Sequence, residues 1–224
     1  MPEDVRLRRG ASAADYGHNV FINCPFDPDY KPIFEALVFA VHACGFLPRC
    51  ALEAADSGTV RVEKIVQIIR ECRFGIHDIS RTELNSRGLP RFNMPYELGL
   101  FMGAQRLGGG KQRRKSCLIL DREPYRYQAF LSDIAGQDPQ SHGNDPLQAI
   151  RAVRDWLWTE IRREGGDPLP GAAEIIRRFA EFRSDAPALA EQHLPDAEGE
   201  RTFADYTALI SMWLREALSG RAQP

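Results

Sequence analysis

Between residues 18 and 120, short apolar runs alternate with segments of helical period, and this alternation restricts the chain more than any other feature. The runs lie at 18–23, 46–52, 73–79 and 116–120. Each is too short for a helix and reads as a strand. Between them, 33–44, 60–72 and 95–106 read as helices. Ile33, Phe34, Leu37, Val38 and Val41 share one face of the first, and Gly45 ends it as a C-terminal glycine does. Ile65, Val66, Ile68 and Ile69 line the second. The strands are almost continuously apolar, as parallel strands covered on both faces are. A β-α-β-α-β-α-β order with right-handed crossovers predicts a doubly wound α/β fold, a parallel sheet of about four to five strands in the order 2-1-3-4(-5).

The rest of the 224 residues divides around this body. Residues 1–17 read as a flexible leader without the apolar core of a signal peptide. The α/β domain is expected over 18–164, including a polar stretch at 121–145 with a short edge element near 131–135, and a helix over 147–163. Gly165-Gly166-Asp167-Pro168 breaks that helix, and a C-terminal helical extension over 165–224 carries helices at 172–183 and 202–219. Alone, that extension is too small to be stable. It is expected to pack on the α/β body, on a protein partner or on a second copy.

Net charge is −2, so nothing global recruits nucleic acid or an anionic membrane. The basic run Lys111-Gln112-Arg113-Arg114-Lys115 follows three glycines and reads as a solvated loop rather than a phosphate patch. Cysteines 24, 44, 50, 72 and 117 form no CxxC pair and no zinc spacing. They read as buried thiols in a reducing, cytoplasmic compartment. No apolar run is long enough to span a bilayer, and no metal site is expected.

Candidate site residues gather where strands end. The first strand leads to Asn23, Pro25, Phe26, Asp27 and Tyr30; the second leads to Asp56 and Ser57. The third ends in Asp78, Ser80 and Arg81, with Asn93 and Glu97 opening the next helix. In open α/β sheets this carboxyl edge is where ligands bind. No GxGxxG or GxxxxGK[ST] follows a strand, and no GxSxG or metal-binding histidine pair is present. Carboxylates with amides and aromatics suit a hydroxyl-rich ligand. They also suit cleavage of an N-glycosidic bond, whose oxocarbenium-like transition state a carboxylate stabilises or captures. Phe26 and Tyr30 are candidates to stack on a base. Asn93 followed by Pro95 suggests a capped helix start, with Glu97 near the positive helix end in its ionised form. Simpler readings stand beside these. Glu97 is also a plain helix-end acid, Asp78 a strand-end cap, Asp27 a turn residue, and His77 a packed core histidine.

Three segments, Val20-Phe21-Ile22-Asn23-Cys24-Pro25-Phe26-Asp27, Ile76-His77-Asp78-Ile79-Ser80 and Asn93-Met94-Pro95-Tyr96-Glu97-Leu98-Gly99, give the chain a resemblance to a known superfamily. It resembles the Rossmann-like (flavodoxin-like) group that joins nucleoside 2-deoxyribosyltransferases to TIR and TIR-like nucleotide-binding proteins. The resemblance covers roughly residues 18–135. It implies that Glu97 is the nucleophile or oxocarbenium stabiliser and Asp78 the sugar-binding acid, with Phe26 and Asp27 in the base- or sugar-binding loop. It also implies an enzyme cleaving or transferring at the N-glycosidic bond of NAD or a nucleotide, in bacterial antiphage defence. No separate cofactor is expected, since NAD or the nucleotide enters as substrate or ligand. The alternative is a non-catalytic nucleotide sensor that signals to a partner through its C-terminal helices. An assembly module that lost the site is a third reading. Arg81, Arg87 and Arg91 depart from the plain nucleoside enzymes and suit a phosphate-bearing ligand.

Overall fold

The computed structural model describes residues 16–53, 60–84, 87–194 and 201–219. Its sheet holds β1 (Asn19–Asn23), β2 (Leu47–Arg49), β3 (Phe74–Asp78), β4 (Ser116–Asp121) and β5 (Gln140–Ser141). All pairings are parallel, in the order β2-β1-β3-β4-β5. The helices are α1 (Lys31–Ala43), α2 (Arg61–Glu71), α3 (Asn93–Leu107), α4 (Pro146–Arg163), α5 (Ala172–His193) and α6 (Phe203–Ser219). This is the Rossmann-like α/β architecture with a C-terminal helical extension.

Side-chain alternation along β1 divides the core. Val20 and Ile22 point to one face, where they join Leu37, Val41, Ile150 and Val153 of α1 and α4. Phe21 points to the other, where it meets Ile65, Ile68 and Ile69 of α2 and Phe101 of α3. A further cluster of Ile79, Leu98, Ile119, Tyr127 and Ile134 closes the β4 side. The C-terminal helices belong to the first of these clusters. Phe39 of α1 lies 5.3 Å from Phe179, 5.4 Å from Phe182 and 6.2 Å from Trp213, ring centre to ring centre. No helix among the described residues is long and apolar enough to cross a membrane.

Several local expectations are corrected. The second strand is confined to Leu47–Arg49, because the chain turns into a 3-10 helix at Ala51–Glu53. The element near 131–135 is a 3-10 turn at Ser132–Ile134, and the fifth strand comes later, at Gln140–Ser141. Asn93 does not cap α3. It lies inside the helix, Phe92 takes the cap position without a side-chain bond, and Glu97 falls in the second turn. α5 runs ten residues past 183 despite Pro187 in its interior. Residues 16 and 17, expected in the leader, are in a turn that the body holds: Tyr16 donates its hydroxyl to the Lys111 carbonyl, and its own carbonyl accepts from the Arg73 amide. The remainder of the leader lies outside the described residues.

Both sheet edges are short. β2 has three residues with Pro48 at its centre, and β5 has two. In the middle of the sheet, Gly75 is required by close approach. A Cβ there would sit 2.7 Å from Nε2 of His77 and 2.9 Å from the Phe101 ring. Gly75→Ala is therefore expected to push α3 off the sheet and to cost about 1–3 kcal/mol in a urea melt.

Candidate functional site

The carboxyl ends of β1 and β3 lie side by side, with Asn23 opposite His77 in the register. Nδ2 of Asn23 lies 3.1 Å from Nδ1 of His77 and donates to the Met94 carbonyl at 2.9 Å. The amide thus ties both central strands to the first turn of α3 and so helps to position the helix that carries Glu97. With Nδ1 accepting, His77 carries its proton on Nε2, packed against Phe21 and Phe101. Burial, with the Lys115 charge adding to it, pushes the His77 pKa down to about 3, so the ring is neutral. It is a core histidine.

Asp78 is fully enclosed. Its Oδ2 accepts from the Tyr30 hydroxyl at 2.6 Å, and its Oδ1 from the Ser80 amide at 2.8 Å. Nε2 of His142 lies 2.9 Å from Oδ2, off the direction that a hydrogen bond needs. Nδ1 of His142 accepts from the Asn144 amide at 3.0 Å, so a neutral ring has its proton on Nε2, beside the carboxylate. Three segments distant in sequence therefore meet on one carboxylate: the start of α1, the end of β3 and the turn after β5. Burial first, and then Asp78, push the Tyr30 hydroxyl pKa well above its ordinary value, so it stays a donor. Tyr30→Phe removes a hydrogen bond to this carboxylate and is expected to cost about 1.5–3 kcal/mol, read as a lowered urea midpoint with an unchanged slope.

Glu97 is also buried, but differently. Among the described residues no hydrogen bond or ion pair to its carboxylate is found, and burial raises its pKa to about 7, with Arg61 pulling the other way. Burial thus opposes the ionised form expected from the helix end. Desolvation outweighs the helix field, because Glu97 stands one turn further in than the strongest part of that field. Asp78, Glu97 and Asp27 all act on the buried Cys24 thiol, whose pKa rises well above the ordinary value, mainly through burial. Cys24 therefore stays a protonated thiol.

Asp27 bridges two loops. Its Oδ1 accepts from the Tyr30 amide at 3.2 Å, and its carboxylate lies 3.6 Å from Arg81 and 3.3 Å from Arg91. Phe26 is exposed, at right angles to Phe34 with 5.4 Å between ring centres. Pro25 is buried and Asn93 exposed. Asp56 and Ser57 lie outside the described residues. Tyr30 offers no face for stacking, being buried. The Oγ of Ser80 is buried without a hydrogen-bond partner.

Two contributors escaped the sequence reading. His142 follows a two-residue strand in a polar stretch, and only the turn-forming Gly143-Asn144 after it hints at a strand end. Arg126 pairs with Asp121 at 2.7 Å and donates to the Ile79 carbonyl and to Thr82. It fastens the ends of β3 and β4 together. No group of three or more histidine, cysteine or acidic side chains able to hold a metal ion occurs among the described residues. Comparison with protein-family models, with curated proteins and with solved structures returns no match.

Proposed function

We propose that this protein binds a nucleotide at the carboxyl edge of the sheet and cleaves, or transfers at, its N-glycosidic bond, with NAD or a nucleoside phosphate as substrate. The observation that carries the reading is Glu97: a buried carboxylate without a protein partner among the described residues, pushed up to about 7, at the opening of α3. Near neutral pH about half of this group is ionised, which suits a carboxylate that forms and releases a bond.

In this reading the Glu97 carboxylate attacks the anomeric carbon as the bond from that carbon to the base nitrogen breaks. A cationic nicotinamide takes the bonding electrons and leaves neutral; the base of a nucleoside phosphate takes them as its anion and gains a proton from solvent. Water then attacks the anomeric carbon of the glycosyl ester, the carboxylate departs with its electron pair, and the water's proton passes to solvent. Asp78 acts as a positioning residue, holding the Tyr30 hydroxyl and the Ser80 amide. Arg81 and Arg91, both on the connection from β3 to α3 and gathered by Asp27, supply cations suited to phosphate. The test is chromatographic detection of released base from NAD and nucleoside phosphates. A purified Glu97→Gln variant that keeps the parent rate removes the reading.

A second reading, a nucleotide sensor without turnover, is favoured by one feature. α1 begins at the Tyr30 contact with Asp78 and packs through Phe39 directly on α5 and α6. A ligand that shifts the first end of α1 would thus move helices at the far end of the chain. Tight calorimetric binding with no product supports this alternative.

A further inference from the structure

A groove of about 690 Å³ lies between the loop joining β1 to α1 and the start of α6. Phe26, Asp27, Pro28, Lys31, Phe34 and Glu35 form one side; Arg201, Thr202, Phe203 and Tyr206 form the other, and Leu52 completes it. That volume is in the range of small-molecule sites, about 300–1,000 Å³. We propose that this groove seats the planar base of an anionic, nucleotide-sized ligand, so that the C-terminal helix α6 is itself a wall of the binding site. The inference rests on the nucleotide reading and adds to it the location of the base and the part played by α6.

Three observations carry it. The apolar lining is aromatic and partly open: Phe26 and Leu52 are exposed, and Phe34 lies between Phe26 and Phe203, with 6.0 Å to the latter ring centre. Adjacent rings on a concave wall suit a flat heterocycle better than an aliphatic chain. The charges around the groove favour an anion. In its lining Lys31 and Arg201 stand against two acids, Asp27 and Glu35. Three further arginines lie behind those acids: Arg81 and Arg91 face Asp27, and Arg183 acts on Glu35, whose pKa burial raises and these cations pull down. Finally, the first turn of α6 is held in position from both sides. Thr202 and Asp205 exchange hydrogen bonds across its start, and the Tyr206 hydroxyl donates to the Glu35 carbonyl at 3.3 Å. The wall is preorganised.

Asp27 lines the groove and also faces Arg81 and Arg91 on the connection from β3 to α3, so a ligand seated here lies beside the connection that leads to the helix of Glu97. The experiment uses the full chain with NAD and AMP as probes. Calorimetry is run on the parent and on Leu52→Glu and Arg201→Glu, two exposed positions, with thermal melting as the folding control. Hydrogen exchange of the parent is followed over 201–206 with and without AMP. The expected result is at least a tenfold loss of affinity in the variants and slowed exchange over 203–206 when AMP is bound. Binding to the parent with unchanged affinity in both variants and unchanged exchange over 201–206 overturns the groove while leaving the nucleotide reading intact. Absence of binding of either probe to the parent overturns both.

Discussion

Glu97→Gln is expected to lower turnover at least about a thousandfold while making the folded protein more stable above neutral pH. The loss follows from removing the group that bonds to the anomeric carbon, since the amide is a far weaker nucleophile and carries no charge to stabilise an oxocarbenium ion. The gain follows from proton linkage. The native pKa of about 7 stands above the ordinary 4.5, so between those values the native state holds a proton that the unfolded chain has released. Stability is therefore highest below the lower value and falls as pH rises through that window. A glutamine has no such proton, and at pH 8 the variant should exceed the parent by on the order of 1–3 kcal/mol in a urea melt. Parent turnover should climb tenfold per pH unit below about 7 and level off above it, tracking the carboxylate. An unchanged rate in the variant, or a flat pH profile in the parent, rejects Glu97 as the reacting group.

Phe39→Ala carries the largest expected stability cost, about 3–5 kcal/mol. The ring is fully buried among Phe179, Phe182 and Trp213, and these come from two helices that follow it by well over a hundred residues. Truncation leaves a cavity where α1, α5 and α6 meet, and three large rings cannot all close on it. Because the lining belongs to the same cluster as Val20, Ile22 and Leu120, the loss should be felt throughout the body. Hydrogen exchange in the slowest amides of β1 and of α6 should accelerate together, by a factor of about a hundred or more. Acceleration confined to α5 and α6, with β1 unchanged, would mean that the helical extension opens independently.

The doubly wound body was legible because its central strands carry the signal themselves. β1 and β4 are apolar along their centres, β3 carries Phe74 and Ile76, and α1 and α2 show a 3.6-residue period. Gly45 marked the end of α1 correctly, with a positive φ of 82°. What escaped lay where local rules were overridden. Pro187 reads as a helix breaker, but α5 continues through it because Phe182, Ala186 and Leu189 are buried on the inner side. β5 has no apolar content, only Gln140 and Ser141, and exists because β4 offers it a ladder. At the candidate site, Asp78 and Glu97 could be picked out because a strand end and a helix start have sequence marks. Their surroundings could not. Tyr30 reads as a base-stacking aromatic, while its hydroxyl crosses to Asp78, 48 positions away. The raised pKa of Glu97 comes from burial in the folded chain, and no local pattern encodes that.

The proline at the centre of β2 bears on how copies of this chain can meet. Growth of a sheet from one molecule into the next needs a row of amide donors along an outer strand, and here one outer strand offers three residues with an imide in the middle while the other offers two. Neither provides a template on which a foreign strand could zip up. Edge-to-edge growth of this sheet from copy to copy is disfavoured at both of its margins.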